Sequence, residues 1–326
     1  MNVLITGASG FIGSFITEEL VKQGHTVYAL VMSKDPLRWI ADLNVKCIFG
    51  DLRKPEVLKN ILKETDYIYH LAGITKAVRK KDFYEVNFNG TRNLVETVLK
   101  SGAEIKRFLY VSSQSAAGPS RSLEPVKEND PPHPISEYGK SKLAAENYLN
   151  SVRKKLPVTI IRPAAVYGPR DRDILRFFKT VKWGIIPRIG YSERYLSLIH
   201  VRDLVDGVIR AAGLKKTLGR TYFLANPMPY SWDDVAKTIL NVMGKKGVRI
   251  VIPEALLSGA AAIGQAVSAV RRKPPVINKF KFSEIKQYFW ICSPRKAERD
   301  FGFKTHIALD EGLRETLEWY VQNQWL

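Results

Sequence analysis

Tyr138 and Lys142 are the first pair of residues whose types and spacing suggest chemistry. They lie four positions apart in "YGKSK" (138–142), and residues four apart share one face of a helix, whereas Lys140 points elsewhere. A free phenol has a pKa of about 10, and a neighbouring ammonium stabilises the phenolate and lowers that pKa. Such a pair can exchange a proton near neutral pH. The motif is short, and a solvated helix face is the plainer interpretation of it alone.

A glycine-rich turn near the N-terminus points to a bound nucleotide. In "LITGASGFIGSF" (4–15), Gly7, Gly10 and Gly13 follow a strand-like run and open a helix-like one. A tight turn, close approach of the backbone to a pyrophosphate, and close packing of helix on strand each favour a residue without a Cβ. The start of the helix then offers free N–H groups to the phosphates. In this strand–turn–helix context, nucleotide binding is the favoured interpretation.

The elements that must position these residues alternate between strand and helix in the first half of the chain. Strand-like runs lie at 3–6, 26–31, 45–49, 67–70, 108–112 and 158–162. Helix-like patterns lie at 11–23, 55–63, 82–100 and 137–154, with a last one at 309–321. This alternation predicts an α/β fold with a doubly wound parallel sheet of the Rossmann type.

The chain changes character after the first half, with shorter elements and frequent Gly and Pro. We expect two domains on this basis. Residues 1–168 would form the nucleotide-binding domain, and residues 169–326 would form a smaller, mostly helical substrate lobe that partly returns to the main sheet.

The composition is that of an ordinary globular protein. The chain has 326 residues, 45% of them apolar and 25% charged, so it can bury a sizeable core. Cys47 and Cys292 are far apart and no Cys/His cluster accompanies them, so we expect reduced thiols, a cytoplasmic protein and no metal site. A strand-like run stands at the N-terminus in place of a signal segment.

The positive charge is large but dispersed. The formal net charge is +19, which permits anionic small molecules, nucleic acid or an acidic membrane surface as partners. The basic residues form short groups without a nucleic-acid-binding motif, so a solvated surface is favoured and no nucleic-acid partner is expected. The apolar stretch 255–270 is too short and interrupted to span a membrane. We expect it to be a packed helix of the second lobe, with a membrane-surface helix as the alternative.

Further motifs follow in order along most of the chain. They are "GDL" (50–52), "HLAG" (70–73), "VNFNGTRNL" (86–94), "YVSSQSAAG" (110–118), "RPAAVYGP" (162–169) and "IHVRDLVDG" (199–207). Together with T-G-x-x-G-x-x-G and Y-x-x-x-K, this set resembles the extended short-chain dehydrogenase/reductase family, in its NAD-dependent epimerase/dehydratase-like branch. The ordered set is far more specific than any one member.

This resemblance implies roles for the opening residues. Tyr138 would be the acid/base, Lys142 would lower its pKa and hold the nicotinamide ribose, and Ser113 would orient the substrate oxygen. Ser112 and Ser115 are the alternatives to Ser113. Hydride would pass between a carbinol carbon and the nicotinamide while Tyr138 exchanges the hydroxyl proton. The cofactor-binding positions implied are Gly7, Ser9, Gly10, Phe11, Ile12, Gly13, Ser33, Lys34, Asp51, Leu52, Leu71, Ala72, Gly73, Asn87, Lys142, Pro163 and Val166.

The end of the second strand bears on the choice of cofactor. NAD-preferring relatives carry an acidic residue there, which binds the ribose 2′-OH and repels a 2′-phosphate. This chain has Val31 at that position and no carboxylate until Asp35. Ser33, Lys34 or Arg38 could meet a 2′-phosphate instead. We therefore expect NADP, with a solvated Lys34 and bound NAD as the alternative.

Two departures from the family pattern narrow the reaction. Gln114 and Ser115 stand where the nucleotide-sugar dehydratases carry an Asp-Glu pair, and neither can act as a general acid or base, so dehydration is not expected. Leu196 stands where many epimerases have a diphosphate-binding arginine, although Arg194 or Arg202 could substitute. These features bring the chain closer to relatives that act on less polar substrates, such as 3β-hydroxysteroid dehydrogenases and dihydroflavonol reductases.

We therefore expect an NAD(P)-dependent oxidoreductase acting on a small-molecule secondary alcohol or ketone. A nucleotide-sugar epimerase with tightly held NAD would use the same three residues and is the alternative. A cofactor-sensing or RNA-binding protein is a third hypothesis, which the intact Ser/Tyr/Lys set argues against. The family also implies a homodimer formed through the helices that carry "VNFNGT" (86–91) and "YGKSK" (138–142). His70 and His200, each at a strand end, are interpreted as structural.

Overall fold

A seven-stranded parallel sheet forms the centre of the protein. The computed structural model describes residues 1–256, 259 and 283–326. The strands of this sheet are β1 (Asn2–Thr6), β2 (Thr26–Val31), β3 (Val45–Phe49), β4 (Tyr67–His70), β5 (Arg107–Val111), β6 (Val158–Pro163) and β11 (Thr221–Leu224). Their spatial order is β11-β6-β5-β4-β1-β2-β3, and neighbouring strands are parallel. The order reverses between β1 and β4, and ligands of such sheets bind at the carboxyl ends of the strands beside that reversal.

Helices cover both faces of the sheet. One face carries α1 (Phe11–Lys22) and α7 (Val201–Gly213), and the other carries α2 (Lys59–Leu62), α4 (Gly90–Ser101) and α5 (Glu137–Val152). A short helix, α3 (Lys80–Phe83), precedes α4. The arrangement confirms the predicted doubly wound α/β fold.

The core is divided into two layers by the sheet. On β1, Val3 and Ile5 belong to the layer under α1 and α7, whereas Leu4 belongs to the layer under α4 and α5. Successive side chains of a strand point to opposite faces. A parallel strand that is covered on both sides is therefore apolar at nearly every position, which is why these strands are visible as continuous apolar runs in the sequence.

The second half of the chain adds smaller sheets and further helices. Its elements are β7 (Ala165–Tyr167), α6 (Asp173–Val181), β8 (Ile185–Ile189), β9 (Tyr195–Leu196), β10 (Leu198–His200), β12 (Tyr230–Ser231), α8 (Trp232–Val242), β13 (Val248–Ile252), β14 (Phe289–Trp290), α9 (Arg295–Phe301) and α10 (Leu309–Gln322). A separate apolar cluster, which includes Phe178, Ile239 and Leu313, holds this part together. Both α7 and β11 pack on the main sheet, so this half of the chain returns to it.

Two predicted helices differ from the structure. The helix expected at 82–100 is interrupted, because a π-helical stretch at Tyr84–Asn89 separates α3 from α4. The helix expected at 55–63 begins as a 3-10 turn at Pro55–Leu58. Pi-helical turns are frequent at functional sites, and this one carries Asn87.

Three further expectations concern particular segments. The helix predicted at 255–270 lies mostly outside the described residues. Cys47 and Cys292 are free thiols, as expected. Within the described residues, no helix is both long and apolar enough to cross a membrane.

Candidate active site

The turn after β1 packs closely, through backbone atoms, against the segment that follows β4. We call the part of this turn that contains Gly7 and Gly13 the glycine cradle. Gly7 has a φ of 77°, in the left-handed region, and a Cβ there would lie 2.8 Å from the backbone nitrogen of Ala72. A Cβ on Gly13 would collide with the carbonyl oxygen of Gly7. Both glycines are therefore required by close backbone approaches, as the motif predicts.

The start of α1 is open to a ligand. Gly10 is the N-cap residue of α1 and is exposed, while Ser9, Phe11 and Ile12 are partly exposed. The first N–H groups of a helix have no partner within the helix, and its dipole favours an anion there. The predicted residues Ser9 to Gly13 thus form a helix start whose chemistry suits the binding of a phosphate.

The loop after β2 presents charges of both signs beside this turn. Ser33 and Lys34 are exposed. Asp35 folds back, and its carboxylate accepts hydrogen bonds from the Ser9 hydroxyl at 3.2 Å and from the Met32 N–H at 3.0 Å. The sequence interpretation did not foresee this contact, because Asp35 lies four residues beyond the strand end.

Asp51 and Leu52 follow β3 and are engaged by protein groups. The Asp51 carboxylate accepts hydrogen bonds from the Arg53 side chain at 2.9 and 2.5 Å, and these bonds hold the pKa of Asp51 below its usual value. The Leu52 side chain is buried in the core, and its carbonyl accepts a hydrogen bond from Asn93. The Asp51 carboxylate is therefore paired with Arg53 in its own loop.

Asn87 joins the end of β4 to α5. Its amide pairs with both backbone groups of Ile74, at 2.8 and 3.0 Å, and donates to the Ser141 hydroxyl at 2.9 Å. A Cβ on Gly73 would lie 2.9 Å from the Asn87 amide oxygen and 3.5 Å from the Lys142 Nζ. The "HLAG" segment, Asn87 and Lys142 are therefore brought together. Leu71 of that segment is partly exposed in the same opening.

Lys142 is buried against the end of β5. Its Nζ donates a hydrogen bond of 2.9 Å to the Val111 carbonyl and lies 4.7 Å from the ring centroid of Tyr110. Burial lowers the pKa of Lys142 to about 8, and the nearby Glu146 carboxylate opposes that change. The ammonium form thus persists at neutral pH and is lost a few pH units earlier than in a free lysine.

Tyr138 meets Ser113 at the carboxyl end of β5. The Ser113 side chain is within hydrogen-bonding reach of the phenol and lowers its pKa, but burial dominates and raises the pKa of Tyr138 to about 12. The sequence predicts a lowered pKa, so in this respect the expectation was wrong. The phenol is held protonated at neutral pH.

Of the three candidate serines, the structure brings only Ser113 to Tyr138. Ser112 is buried and donates to the Glu146 carboxylate. Ser115 is buried, and its N–H donates to the Ser113 hydroxyl at 3.1 Å.

The N-terminus of α5 fixes the position of Tyr138. Ser136 caps the helix by accepting a hydrogen bond of 3.0 Å from the Gly139 N–H, as cap serines do. A Cβ on Gly139 would collide with the Ser115 carbonyl, so glycine is needed for α5 to reach the turn that carries Ser113. Ser136 also donates to the buried Glu284 carboxylate at 2.6 Å, which helps raise the pKa of Tyr138.

A buried ion pair ties the next turn of α5 to the sheet. The Glu146 carboxylate accepts three hydrogen bonds from the Arg162 guanidinium, at 2.6 to 3.2 Å, as well as the one from Ser112. Glu146 lies four residues after Lys142 and hence on the same helix face. Sequence reasoning missed this residue, although the i+4 spacing from Lys142 was a usable signal.

The segment expected under the nicotinamide continues from β6. Pro163 is buried at the end of β6, and Val166 is partly exposed in β7. Because β6 neighbours β5, this segment begins at the same sheet edge as Ser113.

Residues weighed as alternatives have structural partners. Leu196 is buried in the apolar cluster of the second lobe. Arg194 donates to the carbonyls of Ile189 and Lys286 and pairs with Glu254. Neither of these two positions therefore offers a free guanidinium.

The other arginine proposed as a substitute is also engaged. Arg202 pairs with Glu315 at 2.7 Å.

His70 is held between the Thr6 and Thr91 hydroxyls, at 2.6 and 2.8 Å, and burial lowers its pKa to about 3. This neutral, fully bonded imidazole is structural.

His200 stands beside the same glutamate. Its Nδ1 accepts a hydrogen bond from the Arg202 N–H at 3.4 Å, and its Nε2 lies 3.6 Å from the Glu315 carboxylate. Burial lowers its pKa to about 4. It caps α7, which agrees with a structural role.

Gln114 differs from the residues described above in the hydrogen bonding of its side chain. Its amide is buried, and neither amide atom has a hydrogen-bond partner among the described residues. It occupies the position where dehydratases carry a catalytic carboxylate, and an amide cannot exchange a proton in that way.

The glycine cradle and the exposed start of α1 have the chemistry to bind the pyrophosphate of a dinucleotide, and Asn87 and Lys142 lie near Gly73, which follows the neighbouring strand β4. A sequence profile of the NAD dependent epimerase/dehydratase family matches residues 3–225. The chain belongs to this family.

Individual relatives agree with that membership. The chain is 30% identical over 329 residues to the ceramide reductase of Caulobacter vibrioides (strain NA1000 / CB15N), an alignment covering 99% of this chain and 96% of the relative. It is 25% identical over 344 residues to the 3-beta-hydroxysteroid dehydrogenase of Mycolicibacterium neoaurum, covering 98% and 91% of the two chains. These relatives and the family profile confirm the resemblance predicted from the motifs.

A solved structure supports the fold. The UDP-glucose 4-epimerase of Thermotoga maritima superposes with a TM-score of 0.81 at 22% identity, covering 99% of this chain and 100% of that one. At this identity the likeness concerns the fold alone.

Proposed function

We propose that the protein is an NAD(P)-dependent oxidoreductase that interconverts a secondary alcohol and a ketone of an apolar small molecule. Ser113, Tyr138 and Lys142 are its catalytic residues. The observation that carries the proposal is the hydrogen-bonding reach between Ser113 and Tyr138, beside the end of β5, where the Lys142 Nζ donates to the Val111 carbonyl.

The protonated phenol near neutral pH is the form of Tyr138 that acts as the acid when a ketone is reduced. Tyr138, with a pKa raised to about 12, gives its proton to the ketone oxygen, and the Ser113 hydroxyl donates a hydrogen bond to the same oxygen as charge develops on it. When bound, the dinucleotide supplies the hydride. The Lys142 ammonium stabilises the phenolate that remains.

The proposed substrate class rests on the side chains of the site and on the names of two relatives. The arginines that could hold a diphosphate are engaged with protein groups, and Gln114 replaces the carboxylate that dehydration requires. The ceramide reductase and the 3-beta-hydroxysteroid dehydrogenase are named for apolar substrates. A lipid-like alcohol or ketone is therefore the substrate class that these features support best.

NADP is the cofactor we propose. Ser33 and Lys34 are exposed at the end of β2, where a 2′-phosphate would meet a hydroxyl and a cation. Asp35 acts against this choice, but its carboxylate is already engaged by Ser9 and Met32.

A reductase assay tests the proposal. Wild-type protein is mixed with NADPH or NADH and with a long-chain 3-ketone or a 3-ketosteroid, and the loss of reduced nicotinamide is followed by absorbance. We expect turnover, and we expect Tyr138→Phe to reduce kcat by about a hundredfold or more while the Kd for the cofactor is unchanged. Tyr148→Phe, on the same helix, is the matched control and should retain activity.

Two results would overturn the assignment. Near-normal turnover in Tyr138→Phe would show that another group is the acid. Purified protein that carries one tightly bound NAD per chain, and that interconverts nucleotide sugars without added cofactor, would establish the epimerase alternative.

A further inference from the structure

The two-stranded ribbon of β8 and β13 has one face packed against the second lobe. The strands are parallel and in register from Val248 opposite Ile185 to Ile252 opposite Ile189. Ile186 lies in the apolar cluster of this lobe. Arg188 and Arg249 both pair with Asp233 at the start of α8, at 3.8 and 3.2 Å.

The opposite face of the ribbon is apolar along its whole length. Alternate residues of a strand share a face, so the residues facing away from α8 are Ile185, Pro187, Ile189, Val248, Ile250 and Ile252. Val248 is 73% exposed and Ile250 is 47% exposed. Ile185, Pro187, Ile189 and Ile252 are partly exposed. Single exposed apolar residues are ordinary, but neighbouring apolar residues that reach the surface together on one face indicate an interaction surface.

Exposed aromatic residues stand at both ends of β8. Trp183 precedes the strand and is 81% exposed, and Tyr191 follows it and is 86% exposed. The adjoining glycines, Gly184 and Gly190, have φ values of 72° and 63°, so the chain turns sharply between each aromatic residue and the strand. Tryptophan and tyrosine are the residues enriched where a protein meets the boundary between hydrocarbon and water.

Lysines gather at the Trp183 end of the ribbon. Parallel strands begin at the same edge, and Lys182 precedes β8 while Lys245 and Lys246 precede β13; all three are exposed. The Lys245 Nζ donates a hydrogen bond of 2.9 Å to the Lys182 carbonyl, which fixes the two segments side by side. Long lysine side chains can extend from an apolar surface to anionic head groups.

We propose that this ribbon face, defined by its six apolar residues with Trp183, Tyr191 and the three lysines, docks the protein on the surface of an anionic lipid bilayer. The apolar side chains and aromatic rings would enter the head-group region, and the lysines would pair with lipid phosphates. The excess of 51 basic over 32 acidic residues in the chain favours an anionic partner.

A lipid surface fits this face better than a second copy of the chain does. A two-stranded ribbon offers little area compared with the roughly 800 Å² per partner of a stable protein interface, and its lysine edge would repel the same edge of another copy. This inference builds on the proposed function, which is a reaction of a lipid-like substrate. Binding of the ribbon face to a bilayer does not itself require that reaction.

Co-sedimentation with vesicles tests the docking surface. We expect the full-length protein to sediment with vesicles of equal parts phosphatidylcholine and phosphatidylglycerol, and much less with phosphatidylcholine alone. The double substitution Val248→Ser with Ile250→Ser should weaken partitioning by about tenfold without lowering Tm. Leu123→Ser with Met228→Ser, which also removes two exposed apolar side chains, should bind as wild type does.

The charge component is tested with matched lysine pairs. Lys245→Gln with Lys246→Gln should reduce binding to the anionic vesicles by about tenfold, whereas Lys154→Gln with Lys155→Gln, at the exposed end of α5, should have little effect. Brominated lipids should quench tryptophan fluorescence in wild type and distinctly less in Trp183→Phe.

Two outcomes would overturn the inference. Equal vesicle binding by the Val248/Ile250 and Leu123/Met228 variants would show that the ribbon is not the docking surface. Absence of vesicle binding, together with a dimer in solution that Val248→Ser with Ile250→Ser dissociates, would make the face an interface between copies. Tyr138→Phe should bind vesicles as wild type does, so failure of the proposed reaction and failure of docking are distinguishable.

Discussion

At the scale of single residues, burial moves the two central titratable groups in opposite directions. It raises the pKa of Tyr138 to about 12 and lowers the pKa of Lys142 to about 8. Burial disfavours the charged form of any group, so a phenol becomes a weaker acid and an ammonium a stronger one. Near neutral pH the site therefore holds a protonated phenol beside a charged lysine, the state that donates a proton.

We expect Lys142→Met to remove a pH-dependent part of the stability. Between the folded pKa of about 8 and the unfolded value of about 10.4, the unfolded chain binds more protons at this position than the folded chain. The free energy of unfolding in wild type therefore gains up to about 3 kcal/mol from this group as pH rises through that window. Urea unfolding of wild type and variant at both ends of the window measures the difference.

The control for this prediction is Lys140→Met. Lys140 is half exposed and pairs with Glu137 at 3.3 Å, so the variant should follow the pH dependence of wild type. If Lys142→Met also follows wild type, the buried lysine does not titrate as stated.

The choice of cofactor is a second prediction at this scale. Lys34→Glu should weaken NADP binding relative to NAD by about tenfold or more, because it replaces a cation facing the 2′-phosphate with an anion. Asp35→Asn should change the ratio in the opposite direction by removing the negative charge beside Ser9. Fluorescence titrations with both reduced cofactors give the two Kd values for each variant. An unchanged ratio in both would place the adenosine ribose away from this loop.

At the scale of elements, a single helix carries most of the site. The α5 helix holds Tyr138, Lys142 and Glu146 on one face. Ser136 caps the start of the helix. Glu146 is hydrogen-bonded to Ser112, which follows β5, and to Arg162 of β6. Removing one partner of a buried ion pair costs about 3–5 kcal/mol, so the position of α5 against the sheet is strongly determined.

Gly139 is the position where this placement is most easily tested. Gly139→Ala would place a Cβ against the Ser115 carbonyl, and relief of that collision must move α5 or the turn carrying Ser113. We expect a loss of about 1–3 kcal/mol in the free energy of unfolding and a fall in kcat. Gly213→Ala, at the end of α7, has open space around its Cβ and should be neutral or slightly stabilising. Equal effects of the two substitutions on stability and kcat would contradict the close approach.

At the scale of the whole molecule, the parallel sheet gathers distant segments at one edge. The ends of β1, β4 and β5 bring together residues that lie far apart in the sequence, because neighbouring parallel strands all finish at the same side. The glycine cradle and the Ser/Tyr/Lys site occupy this edge. The β8–β13 ribbon belongs instead to the second lobe, so the proposed docking surface and the proposed catalytic residues lie on different elements.

The homodimer implied by the family is the prediction at this scale. Phe88 and Tyr148 are partly exposed on the two helical segments expected at the interface, with ring centroids 6.5 Å apart in an edge-to-face contact. We expect a dimer in solution and a shift towards monomer in Tyr148→Glu, because a charge would be buried without a partner. Light scattering coupled to size exclusion measures the mass. Leu123→Glu, at an exposed position elsewhere, should leave the mass unchanged.

Local patterns in the sequence were sufficient to predict the fold and to propose residues for the site. The alternation of apolar runs with helix-like patterns predicts six of the seven strands of the sheet, since a strand covered on both faces must be apolar throughout. The seventh strand, β11 at Thr221–Leu224, was not predicted. The glycine spacing of the first turn and the i+4 spacing of Tyr138 and Lys142 are likewise local features. Steric and helical periodicity rules act within a few residues, so they can be followed in the sequence alone.

Only the tertiary structure decided the environment of those residues. That Ser113 rather than Ser112 meets Tyr138, that Glu146 is bound by Arg162, that Asp35 turns back to Ser9, and that the pKa of Tyr138 is raised all depend on contacts between remote segments. The apolar face of the β8–β13 ribbon likewise exists only because two strands about 60 residues apart lie in register. Burial and Coulomb effects are set by every group within several ångströms, and those groups are known only once the chain has folded.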